Sequence, residues 1–160
     1  MDSWHDFLIA MAGASGALVG LLFIAISISL DLLMKAPQLL TRAAACLELL
    51  TGVLMFCCAL LMPGLDQTSV GWIILVGGIV IWCVTTFSSY RVVATAEREY
   101  RSRSIVALVL FQVATVPTVV AGLAAFRIGN DAMYILASAF IVSFAVAVLD
   151  SWVLMIEVRR

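Results

Sequence analysis

Charge is scarce in this chain, and histidine scarcer still. Only 12% of its 160 residues are Asp, Glu, Lys or Arg, while 64% are hydrophobic and the mean hydropathy is +1.17. A water-soluble domain carries about twice that share of charge, so a soluble globular fold is excluded. The single histidine, His5, lies outside the apolar stretches, which removes the usual ligand of a haem or zinc site. Cys46, Cys57, Cys58 and Cys83 all fall inside apolar runs, where a thiol behaves as a small hydrophobe. Adjacent Cys57 and Cys58 point to different helix faces, which suits no single metal site. No metal and no cofactor is expected. The chain also lacks a glycine-rich phosphate loop, a nucleophile elbow, a basic nucleic-acid surface and any repeat of fixed period. With no nucleophile–base pair either, no catalytic residue and no enzyme activity is expected, and no nucleic acid is an expected partner.

What the chain does have is apolar length. Five runs reach the roughly 17–25 residues that a bilayer-crossing helix needs: residues 7–30, 39–61, 70–90, 105–126 and 132–156. Each is bounded by polar or helix-breaking residues: Asp31 with Pro37, Pro63-Gly64, the run from Arg91 to Ser104, and Arg127 to Asp131. In lipid every backbone group must bond within the protein, and runs this long and apolar do so as helices. The sequence predicts an all-α membrane protein, one bundle of five transmembrane helices spanning residues 1–160. The bilayer is its first partner.

The opening "MDSWHD" carries acids in place of a basic leader, and the following apolar run is too long for a signal-peptide core. A retained first helix is expected, with Ser3-x-x-Asp6 as its capping box and Trp4 at interfacial depth. No lipidation signal is read at either end. Basic residues set the orientation. Lys35 and Arg42 flank the first connection, Arg91, Arg98, Arg101 and Arg103 lie in the third, and Arg159 and Arg160 close the chain; Arg127 alone falls on the other side. That bias predicts an outside N-terminus and a cytoplasmic C-terminus. Residues 91–104 read as a cytoplasmic helical extension, with Glu97–Arg101 and Glu99–Arg103 at i,i+4. Arg98, Arg101 and Arg103 are candidates for anionic lipid headgroups, or else a solvated loop that sets topology.

Seven of the ten residues in "MAGASGALVG", Met11 to Gly20, are Ala, Gly or Ser. Ala12, Gly16 and Gly20 recur every four residues, with Gly13 and Ala17 in a second row beside them. Such rows let helix backbones approach closely, through van der Waals contact in place of a hydrophobic drive. Three readings follow: packing within the bundle, an oligomer interface, or a glycine-lined path.

Two acids lie inside the spans, Glu48 in the second and Asp150 in the fifth. An acid at such depth costs about 2.5–3.5 kcal/mol on insertion scales and needs a proton, a partner or water. Thr41, Ala44, Glu48, Thr51, Met55 and Ala59 share one side of the second span; Ala139, Ser143, Ala147 and Asp150 share one side of the fifth. Glu48, Asp150 and Gln112 each sit about 10 Å from their cytoplasmic boundary at 1.5 Å per residue. They are expected to converge with Arg42, Thr51 and Thr115 on one cytoplasm-facing polar site, capped outward by packing around the glycine rows. Pro117 is expected to loosen the fourth helix by freeing a carbonyl near residue 113. The cluster is either a satisfied network or a site for a cation, a proton or a small polar ligand.

"SWHDFLIAMAGASGALVGLLFIAISISLD" resembles the opening of a family of small, uncharacterised bacterial multi-span membrane proteins. The likeness continues through Arg42 and Glu48, Gln112 with Pro117 and Gly122, and the closing "SWVLMIEVRR"; residues 65–100 match loosely. Some members are labelled protease modulator. The resemblance implies a bacterial plasma-membrane protein and assigns no activity or site residue. Two functions remain open: a homo-oligomeric channel or transporter for a cation or proton, or a non-catalytic accessory subunit gripping another membrane protein.

Overall fold

A computed structural model describes residues 2–35, 37–95 and 101–158, with side chains over 4–31, 33–34, 39–91, 93–94 and 105–152. Among these the chain is all-helical: α1 (Asp2–Ile28), α2 (Leu30–Lys35), α3 (Pro37–Leu60), α4 (Gln67–Thr95), α5 (Arg101–Ile128), a 3₁₀ turn (Gly129–Asp131) and α6 (Ala132–Val158). Four segments are long and apolar enough to cross a membrane: Trp4–Ile28, Leu39–Leu60, Gln67–Arg91 and Ile105–Trp152. The last holds both α5 and α6, which double back on each other through the turn at Gly129–Asp131 and pack together. The first helix stops at Ile28, short of the expected Leu30, and Ser29 bends the chain into α2. The capping box at Ser3 and the pairs Glu97–Arg101 and Glu99–Arg103 lie outside the described side chains.

Local chemistry fixes the helix ends. Past Leu60 the chain meets Pro63 and then Gly64 at φ +79°, a left-handed conformation that favours glycine. Asp66 caps α4: Ser69 Oγ donates to its carboxylate, and the Val70 amide bonds its carbonyl at 3.0 Å. The Ser69 hydroxyl above all, then the nearby backbone amides, hold the Asp66 carboxyl below the usual carboxylate range. Pro117 sits inside an unbroken α5. Its ring crowds the preceding turn, where the Ser143 hydroxyl of α6, bonded to Ala139 of its own helix at 2.8 Å, lies 3.4 Å from the Ala114 carbonyl.

The packing is a ring of four helices with a fifth on its rim. Neighbours α3–α4, α4–α5, α5–α6 and α6–α3 close the ring, with α4–α5 the most extensive pairing; α1 lies on α3 and barely touches α6. Only 17% of α1's apolar segment is buried, against 56% for that of α3. Leu8, Phe56, Leu60, Ile74, Leu136 and Phe140 build the core at the end holding the α1 N-terminus. Cys46, Leu49, Leu50, Phe111, Ala114 and Val146 build it at the other.

The close helix approaches are made by glycines far from α1. A Cβ at Gly122 would lie 2.5 Å from Leu75 Cα and 2.7 Å from its nitrogen, and one at Gly78 would lie 3.2 Å from the Thr118 carbonyl carbon. Absent side chains at these two positions bring α4 and α5 into backbone contact.

Aromatic side chains mark both ends of the bundle. Trp72 and Tyr90 on α4, and Tyr134 and Trp152 on α6, are all exposed. The members of each pair stand eighteen residues apart. That is five helical turns on one face, about 27 Å. The bilayer hydrocarbon is about 30 Å thick, and Trp and Tyr favour its two boundaries.

Candidate functional site

The polar side chains inside the helices pair off across separate seams. On α6, Asp150 accepts a charge-assisted hydrogen bond from Arg42 Nη2 on α3, and its second oxygen faces Cys46 Sγ at 3.4 Å. Arg42 and Cys46 are one turn apart on α3, so both reach the same carboxylate. The pair is enclosed, with side-chain exposures of 11% for Arg42 and 7% for Asp150.

Glu48 belongs elsewhere. Its Oε1 accepts from Ser88 Oγ on α4 at 3.2 Å, and its Oε2 is buried with no hydrogen-bond partner among the described residues. Cys46 and Glu48 are two residues apart and therefore point about 200° apart around α3. The depths differ as well: Asp150 is level with residues 42–46, while Glu48 sits two to six residues further along, about 3–9 Å. The convergence of the two acids is thus corrected. Equal distance from a boundary in sequence did not allow for the angular phase of α3.

Gln112 ties α4 to α5. Trp82 Nε1 donates to its Oε1 at 2.7 Å, and its Nε2 donates to Thr86 Oγ1 at 3.0 Å. It meets neither acid. Thr115 is buried and gives its hydroxyl to the Phe111 carbonyl of its own helix at 2.8 Å, so it too stands apart from them. Thr51 is exposed on the outside of α3, and so are Ala44 and Met55. The stripe expected to turn Glu48 inward instead runs along the rim of the bundle, with Thr41, Glu48 and Ala59 half-buried and the other three exposed.

The small residues of α1 also divide. Ala12 packs against the core, and Gly16 is edge-on, with Leu54 Cδ1 4.0 Å from where its Cβ would be. Gly13, Ala17 and Gly20 are exposed, and a Cβ at Gly13 or Gly20 would meet nothing within 4 Å. Packing within the bundle therefore does not explain those positions. They belong to a longer row of exposed residues: Ala10, Gly13, Ala17, Gly20, Ile24 and Ser27. The steps alternate three and four, the spacing of a seam between two parallel helices. The four-residue pattern alone had obscured that row.

Arg98, Arg101 and Arg103 have no described side chains. Among the described residues no group of three or more His, Cys, Asp or Glu could hold a metal. No protein family, curated protein or solved structure matches this chain. Sequence reasoning missed Cys46 as a partner of Asp150, although its place one turn from Arg42 was a usable signal. It also passed over Gly78 and Gly122, which carry the tightest backbone contact.

Proposed function

We propose that this chain is a five-span integral membrane protein that self-associates through the outward face of α1 and acts as a non-catalytic assembly or accessory subunit. One observation carries the reading. The part of α1 turned away from the bundle between Ala10 and Gly20 exposes only small residues, Ala10, Gly13, Ala14, Ala17 and Gly20, with large apolar side chains (Ile9, Leu21, Phe23, Ile24) at either end of that patch. No charge stands between Asp6 and Asp31, so a charged partner has nothing to grip there. A like helix fits: the three–four spacing is self-complementary, and a two-fold axis along the membrane normal keeps both copies in one orientation.

Supporting the spans are the apolar segments, the doubled-back α5–α6 pair and the aromatic rims about 27 Å apart. Eight of nine Lys and Arg fall, in the sequence, in or beside the first and third connections or at the end of the chain, which favours a cytoplasmic C-terminus and an outside N-terminus. The bacterial plasma membrane as setting rests on the sequence resemblance. A conduction path through one copy is less well supported. Arg42 with Asp150, Gln112 with Trp82 and Thr86, and Glu48 with Ser88 are each engaged across a different helix pair.

Native mass spectrometry from mild detergent tests the reading. Wild type is expected as a dimer or higher multiple, and Gly13→Leu and Gly20→Leu as folded monomers. A monomeric wild type, variants of unchanged oligomeric mass, or a different membrane protein in place of the second copy would each overturn self-association.

A further inference from the structure

Glu48 is left over by everything above. It stands at mid-length of α3, nine residues or about 14 Å from Leu39 at the start of that helix's apolar segment. It is half-buried, as are Thr41 and Ala59 on its stripe, while its neighbours there, Ala44, Thr51 and Met55, are exposed on the outside of the bundle. One oxygen takes the Ser88 hydroxyl at 3.2 Å, and the other is covered and has no partner among the described residues.

Among the described residues no cation is paired with it. The ion pairs among the described residues are His5 with Asp6 and Arg42 with Asp150, and Arg42 points about 120° away from Glu48 around α3, toward α6. On α4 the nearest basic residue to Ser88 is Arg91, whose guanidinium lies over the Phe87 ring at 5.4 Å from its centre. Tyr90 on α4 is exposed; α1 carries no titratable group between Asp6 and its end, and Asp31 on α2 is exposed. On α6, Asp150 lies beyond α3 with its own arginine. A carboxylate in hydrocarbon with one weak donor and no counter-charge is strongly disfavoured, whereas the neutral acid needs only that donor and an acceptor for its own proton.

We propose that Glu48, with the Ser88 hydroxyl, forms a proton-binding site at the outer edge of the α3–α4 seam, its side chain half-exposed toward the lipid side. The site rests on the membrane-spanning reading and is independent of self-association through α1. A hydrophobic carbodiimide distinguishes it. The protonated carboxyl adds across the N=C bond, its proton passing to nitrogen, and the O-acylurea rearranges to a stable N-acylurea that keeps every atom of both reactants.

The experiment uses full-length protein in lipid vesicles at pH 7, treated with dicyclohexylcarbodiimide and mapped by mass spectrometry. Labelling is expected at Glu48 and at no other acid, with Asp150 spared by its arginine. It is expected to vanish in Glu48→Gln. An infrared carbonyl band of a protonated carboxyl, present in wild type and absent from folded Glu48→Gln, is the second readout. Labelling of Asp150 in preference to Glu48, absence of labelling at Glu48, or absence of the infrared band would overturn the site. Intact labelling in an α1 variant that is monomeric leaves the site standing while the assembly reading is judged separately.

Discussion

Removing either member of the Arg42–Asp150 pair exposes how much of the α3–α6 seam depends on charge. Arg42→Ala leaves Asp150 enclosed at 7% exposure with only Cys46, at 3.4 Å, as a donor; Asp150→Ala leaves the guanidinium enclosed at 11%. Breaking a buried pair from one side costs about 3–5 kcal/mol, because the surviving charge keeps its desolvation penalty. The pair lies near the helix ends, where a long side chain can turn toward the interface, so the lower figure applies, about 3 kcal/mol or a hundredfold in the folding equilibrium. Replacing both members by apolar residues of similar volume, Arg42→Met with Asp150→Leu, removes the penalty along with the attraction and is expected within about 1 kcal/mol of wild type. Unfolding by SDS in mixed micelles, followed by circular dichroism, supplies the four corners of the cycle. Two single variants each losing under about 1 kcal/mol, or a double variant equal to their sum, would refute the assignment of a desolvated pair.

Three further outcomes follow from the packing and the loop. Gly122→Ala drives a Cβ to 2.5 Å from the Leu75 backbone and is expected to lose about 1–3 kcal/mol in the same assay. Gly52→Ala meets only the mobile end of Ile81, at 2.7 Å, and is expected to lose less; equal losses would show that α4–α5 approach is not backbone-limited. Asp66, whose carboxyl is held below the usual range, stabilises the folded state above its unfolded value of about 4 and loses that contribution as pH falls through the folded value. Melting temperature in Asp66→Asn is therefore expected to depend less on acid pH than in wild type, and an unchanged profile would remove the cap from the account.

Helix content was legible because hydropathy and the need to satisfy backbone groups in lipid depend on composition alone, residue by residue. The end of α3 followed from Pro63 and Gly64, whereas the Asp66 cap that starts α4 at Gln67 was not read. Which way each stripe faces was not legible, because that depends on how the helices pair. Glu48 and Asp150 lie at similar distances from their boundaries, yet Arg42 and Cys46 face one way around α3 and Glu48 the other. The glycines of α1 advertised close packing, while the contact was made by Gly78 and Gly122, effective because each meets backbone of the facing helix. Thr115 looked like a site residue by position, but a hydroxyl within a helix has a carbonyl of its own turn at hand.

Self-association through α1 is most directly tested by disulfide formation in native membranes at Ala17→Cys, the middle of the exposed Ala10–Ser27 row, with the four native cysteines replaced by alanine. A two-fold seam of small residues brings the two introduced cysteines within the roughly 4.4–6.8 Å Cα separation that a disulfide requires. Efficient cross-linking to a homodimer at Ala17→Cys, and none at Leu18→Cys on the bundle side, is the predicted result. Cross-linking at neither position, or equally at both, would contradict it.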